Sequence, residues 1–175
     1  MEGSGSLNVR EATISDFDAW FALFDAVARE RKWIGREGPL ERETGQRNFE
    51  RYVESGDRST LLAESHGRLV GFLGIEARGG LAEIGMMVDS ASRGHGVGSV
   101  LVESCIAWAR EHRCHKIALQ VWPHNQVARS LYRKFGFVEE ATLLRHYRRQ
   151  NGELWDAIGM GLVLDWESPS SPHGS

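Results

Sequence analysis

The segment Arg93-Gly94-His95-Gly96-Val97-Gly98-Ser99 sets glycine at alternate positions beside a fixed positive charge and a hydroxyl, just ahead of an apolar helical pattern. That combination suits a phosphate-type anion. The first N–H groups of a helix have no intrahelical partner, and the helix dipole is positive at that end. Lacking Cβ atoms, Gly94, Gly96 and Gly98 would let an oxyanion approach the backbone closely. The alternative is a glycine-rich turn that only starts a helix. Two other phosphate loops fit worse. Ser99 and Val100 follow Gly98 where a nucleoside-triphosphate loop needs lysine, and G-x-G-x-G is not the dinucleotide pattern G-x-G-x-x-G. His95 has no catalytic part in this reading and supplies only backbone N–H.

A second chemical cluster is Arg145-His146-Tyr147-Arg148-Arg149, ahead of the turn dipeptide Asn151-Gly152 and followed by Glu153, Trp155 and Asp156. The plain reading is a solvated hairpin with cross-strand ion pairs. The sharper one is a carboxylate-recognising rim, in which Arg145 or His146 holds the carboxylate and Trp33 or Trp155 covers the rest of the ligand, with Tyr147 beside them. Cys105 and Cys114, the only cysteines, form no CxxC pair, and no His/Cys cluster has metal-ligand spacing. No metal is expected.

The elements that must position these groups follow from periodicity. Leu7–Ala12 reads as a strand, and Ser15 as the N-cap of a helix burying Phe17, Trp20, Phe21, Phe24 and Val27. A polar helix is expected over about Glu41–Val53, after a Gly- and Pro-punctuated connection that could face a substrate. Ser59–Glu64 and Arg68–Ala77 form a hairpin, and Leu81–Val88 a third strand leading into the glycine loop and a helix from about Gly96. Lys116–Val121 is a strand, Gln126–Lys134 a helix stopped by Gly136, and Phe137–Tyr147 with Leu154–Val163 a closing hairpin. The result is a mixed α/β domain over residues 7–166, with flexible tails at 1–6 and 167–175. Leu81–Val121 is its strand-helix-strand crossover and should place two strands parallel.

At 175 residues, 41% hydrophobic and 26% charged, the chain is an ordinary globular domain. A formal charge of -3 argues against nucleic acid, and there is neither an apolar run long enough for a membrane span nor a signal-peptide pattern, so a cytoplasmic protein is expected.

At the glycine loop the sequence resembles the GNAT superfamily of acetyltransferases, whose signature is Gln/Arg-x-x-Gly-x-Gly/Ala after a strand. A second match, at family spacing, runs from Asn125 through Ala128, Leu131, Tyr132 and Gly136 to Phe137, in the pattern N-x-x-A-x-x-L-Y-x-x-x-G-F. The resemblance covers roughly Leu7 to Leu164. It implies a GNAT-type mixed central sheet with splayed strands flanked by helices, and acetyl-CoA as cosubstrate. It further implies that Met86, Met87 and Val88 pair with the pantetheine amides, that Arg93 through Ser99 surround the pyrophosphate, and that Asn125 touches the cofactor arm. Asn125 reads equally as a plain N-cap.

Tyr132 would protonate the departing thiolate, its alternative being a core aromatic. Glu83 is the candidate base for an ammonium substrate, its alternative a solvent-facing charge on an alternating strand. Ribosomal-protein N-terminal acetyltransferases carry Glu in the strand before the Pro-x-Asn turn, where this chain has Gln120, which cannot be a base. The expected activity is therefore direct acetyl transfer, in a ternary complex, to a small primary amine such as an amino acid. A protein N-terminal or lysine acetyltransferase and a non-catalytic acyl-CoA sensor are the alternatives. Homodimers are frequent among relatives and are the default expectation.

Overall fold

The computed structural model describes residues 7–164; the expected tails, with Asp165 and Trp166 of the expected domain, lie outside the described residues. Seven strands form one mixed sheet: β1 (Asn8–Glu11), β2 (Arg58–Ser65), β3 (Arg68–Arg78), β4 (Leu81–Val88), β5 (Lys116–Val121), β6 (Val138–Arg148) and β7 (Leu154–Val163), in the spatial order β1-β2-β3-β4-β5-β7-β6. Four helices flank it: α1 (Phe17–Arg29), α2 (Arg42–Glu54), α3 (Val97–Glu111) and α4 (Gln126–Lys134).

Alternation along the strands divides the core in two. Leu62 and Phe72 face Trp20 and Phe49 of α1 and α2, whereas Leu61, Leu73 and Ile75 face Leu101, Val102 and Cys105 of α3. β4 shares in both, sending Ala82, Ile84, Met86 and Val88 to the α3 side and Met87 to the α1 side. The start of α1 differs from expectation. Thr13 opens a 3-10 turn over Ile14–Asp16, and Ser15 bonds the Thr13 hydroxyl instead of capping α1. Asp16 explains this, because its carboxylate accepts from Thr13 N at 2.7 Å and from both terminal nitrogens of Arg10 at 2.7 and 2.8 Å. The guanidinium holds the Asp16 carboxyl well below the usual carboxylate range.

β4 and β5 are the parallel pair joined through α3, and their pairing runs only from Leu81↔Lys116 to Ile84↔Leu119. Beyond that point β4 stays on β3 as far as Val88↔Gly71, while β5 stays on β7 as far as Val121↔Ile158. The sheet therefore splays at its centre, and the backbone of Gly85–Val88 faces a gap where a neighbouring strand would lie.

Candidate functional site

A single cavity of about 1220 Å³ fills this gap. Gly85 to Val88 form one wall, Gln120, Val121 and Trp122 the other, and Ala128, Leu131 and Tyr132 of α4 the floor. At one end sits the glycine loop. Gly94 and Gly96 take φ of +79° and +84°, the left-handed region where a Cβ is strained, and Gly96 becomes the N-cap of α3 without any side-chain cap. Val100 N is the first to find an intrahelical acceptor, Gly96 O at 3.2 Å, which leaves the N–H groups of Val97, Gly98 and Ser99 at the cavity's edge. Gly98 is required for another reason: a Cβ there would meet Leu131 Cδ2 at 2.7 Å.

The structure brings together most of the expected cofactor residues, since Met86, Met87, Val88, Arg93, Gly94, Gly96, Val97, Gly98, Ser99 and Asn125 all line the cavity. Two need correction. His95 is exposed, outside the lining, with Nδ1 2.9 Å from Arg93 O. Arg93 is not a free charge for phosphate. Its terminal nitrogens donate to both oxygens of Glu30 at 2.8 and 2.6 Å, Nε donates to Val88 O at 3.2 Å, and the guanidinium lies 5.4 Å from the Trp33 ring. Arg93 thus locks the end of α1 to the end of β4. Asn125 does cap α4, its Oδ1 accepting from Ala128 N at 3.2 Å, but its amide nitrogen remains for a ligand.

Tyr132 is 5% exposed, tilted against Phe137 at 5.4 Å, and lines the cavity. Burial raises its pKa far above the ordinary phenol value, with Cys105 adding a smaller push, so it holds its proton at any physiological pH. Tyr132 is thus a core aromatic that also faces the cavity. Glu83 is exposed on the face of β4 that also carries Gly85 and Met87, but it does not line the cavity. Neither cysteine lines the cavity, and burial pushes the Cys105 thiol up to about 12, which leaves no thiolate nucleophile there.

The loop between α1 and α2 lines the other end of the cavity. Arg149, whose side chain is 3% exposed, donates to the carbonyls of Arg31 (3.1 Å), Ile34 (3.2 Å) and Gly35 (3.3 Å) and pairs with Glu37 at 3.0 Å. Its guanidinium also lies 4.4 Å from the Trp155 ring and 5.3 Å from that of Trp122. His124 Nε2 lies 3.1 Å from Lys32 O. Strapped in this way, the loop puts Trp33, Ile34, Gly35 and Arg36 into the wall beside Tyr147, whose ring a Cβ on Gly35 would meet at 3.7 Å. The Tyr147 hydroxyl donates to Gln120 Oε1 at 2.5 Å.

The expected hairpin forms, β6 pairing with β7, but without the cross-strand ion pairs among the described residues. A register shift between Leu143 and Tyr147 pushes Arg145 out, with φ +48° and its N–H donated to Asp156 at 2.6 Å, so Arg145 does not line the cavity. His146 packs edge-on against Tyr147, and Trp155 lies behind Trp122 rather than in the wall. At the turn only Gly152 takes positive φ, and Arg149 N bonds Glu153 O around a three-residue loop. Sequence reasoning missed Arg36, Trp122 and the inward course of Arg149, for which no local signal exists.

A splayed sheet, an uncapped glycine-rich helix start and a buried tyrosine beneath the gap define a nucleotide-thioester transferase site. Consistent with this, residues 20–137 match the model of the acetyltransferase (GNAT) family, and the chain belongs to that family. It is similar to the L-amino acid N-acetyltransferase AaaT of Escherichia coli, at 35% identity over 123 residues that cover 65% of this chain and 74% of that one. Among solved structures, the ribosomal-protein-alanine N-acetyltransferase of Brucella melitensis superposes with TM-score 0.82 at 26% identity, covering 90% of this chain and 99% of that one. The yncA protein of Salmonella typhimurium, solved with its cofactor acetyl-CoA, shares the fold at TM-score 0.81 and 20% identity, covering 94% of this chain and 98% of that one. Among the described residues no helix is long and apolar enough to cross a membrane, and no group of three or more His, Cys, Asp or Glu side chains is placed to hold a metal.

Proposed function

We propose that this protein is a cytoplasmic N-acetyltransferase that moves the acetyl group of acetyl-CoA to the primary amine of a small molecule of the amino-acid kind. The observation that carries this reading is the strap over the acceptor end. An enzyme acting on a protein terminus needs an open groove, whereas here Arg149 and His124 hold the Lys32–Glu37 loop across the cavity mouth. The amino-acid activity named for the Escherichia coli relative agrees with it.

The residues fit acetyl-CoA. No carboxylate stands in the lining to repel a pyrophosphate, Gly94 to Ser99 offer backbone N–H, and Gly85 to Val88 offer strand edge to the pantetheine amides. Acetyl-CoA supplies the activated acyl thioester. Direct transfer moves protons at both the amine and the sulfur. Glu83, two residues from Gly85 on the same strand face, takes the ammonium proton through water at the open side of β4. Tyr132 delivers its hydroxyl proton to the departing sulfur and recovers one from the newly acylated nitrogen, which must lose a second proton to become the amide. No enzyme nucleophile takes part, because both thiols are buried away from the cavity. A homodimer remains the expected assembly.

The test is free-thiol release from acetyl-CoA with a panel of amino acids, polyamines, aminoglycosides and peptides. Release with amino acids, abolished by Gly96→Glu, supports the proposal; release with peptides alone would assign a protein acetyltransferase. Tight acetyl-CoA binding without turnover on any acceptor would assign a sensor.

A further inference from the structure

The charges around the cavity point to how the acceptor is held. Its lining contains no Asp, Glu, Lys or His, and only two charged side chains, Arg93 and Arg36. Arg93 is neutralised by Glu30. Arg36 makes no hydrogen bond or ion pair among the described residues, yet the residues on either side of it are both tied down. Gly35 O accepts from Arg149, and the Glu37 carboxylate accepts from Arg149 Nε and from Gln150 N at 2.9 Å. An exposed arginine that lines an otherwise near-neutral cavity, with both neighbours tied down and no ion pair of its own among the described residues, stands where an anion-reading residue would.

We infer, resting on the acetyltransferase reading above, that Arg36 binds the carboxylate of the acceptor and that Arg149 is the residue that positions it. Trp33, Ile34 and Tyr147 line the same wall and supply apolar and aromatic contact for the acceptor's side chain. The site thus selects amines that carry a carboxylate and a neutral side chain. Polyamines, aminoglycosides and other polycations find no carboxylate in the lining to offset a second positive charge and meet Arg36 instead.

The experiment compares matched pairs, phenylalanine with phenethylamine and leucine with isopentylamine, plus putrescine, by thiol release from acetyl-CoA. Wild-type protein is expected to favour each amino acid over its decarboxylated partner by about 10- to 100-fold in kcat/KM, the value of one charge-assisted contact. Arg36→Gln removes that preference by raising the amino-acid KM, leaves phenethylamine and the acetyl-CoA KM unchanged, and, being on an exposed side chain, leaves the fold intact. Arg36→Lys restores part of the preference. Arg149→Lys raises the amino-acid KM with little change in kcat or in acetyl-CoA KM, whereas loss of a purely structural arginine would lower stability and raise both KM values together. Equal turnover of both members of a pair by wild type, or equal losses on both in Arg36→Gln, would overturn this inference and leave the acetyltransferase reading standing. No thiol release from any amine would overturn both.

Discussion

Replacing Tyr132 by phenylalanine removes one oxygen from a side chain packed between Phe137 and the α3 core, and leaves the ring that fills the space. The raised pKa of Tyr132 traces to burial and Cys105, with no hydrogen bond contributing, so the hydroxyl loses no protein partner in the variant. Stability should therefore change by no more than about 1 kcal/mol in either direction. The catalytic effect should be far larger. The leaving group is a thiol of ordinary pKa about 8.5, and the burial that keeps Tyr132 protonated also disfavours a bare thiolate beside it, so a positioned proton has most to offer here. Loss of a positioned general acid costs about 100- to 10,000-fold in kcat, or roughly 3–5 kcal/mol of barrier. Single-turnover thiol release separates this from slow product release, while acetyl-CoA binding and the thermal midpoint are followed in parallel. Because Tyr132 keeps its proton, kcat of the wild type should show no fall between about pH 7 and 9 from this group. A variant within about twofold of wild type in single turnover, with binding and melting unchanged, would refute the argument and leave Tyr132 a core aromatic.

The linkage sign for Tyr132 gives an equilibrium check. Its folded pKa lies above the unfolded one, so its stabilisation is complete below about pH 10 and is lost as pH rises further; alkaline melting should be milder in Tyr132→Phe. Glu83→Gln should lower kcat/KM for the amine by about 100-fold or more at neutral pH while leaving acetyl-CoA binding intact, and an unchanged kcat/KM would return Glu83 to a solvated surface charge. Gly98→Val should raise the acetyl-CoA KM by at least about tenfold, because the new side chain drives Leu131 aside and shields first-turn N–H groups; an unchanged KM would place the phosphates elsewhere. Asp16 titrates in the opposite sense. Its depressed pKa gives stability that is present above about pH 4 and lost as pH falls, so Asp16→Asn should lower the melting point at pH 7 and flatten its acid dependence.

Much of the scaffold was legible because its signals are local. Leu81–Val88, Lys116–Val121 and Gln126–Lys134 have the bounds that periodicity and turn residues indicate, and the glycines of the phosphate loop stand where positive φ or close packing demands them. Asn125 and Gly136 also mark the ends of α4 within one or two residues of their own positions. Backbone conformation and capping depend on neighbours a few residues away, so the chain order itself carries them. What it does not carry is which cation meets which carboxylate. Arg93 finds Glu30 63 residues earlier, and Arg149 reaches carbonyls 114 to 118 residues earlier, while a bulge in β6 ejects Arg145, the residue that composition favoured. Charged side chains of similar type compete for a few buried positions, and only the packing of distant elements decides which of them is desolvated, which is neutralised and which remains free. That packing leaves Arg36, inconspicuous in the sequence, in the cavity lining without an ion pair among the described residues.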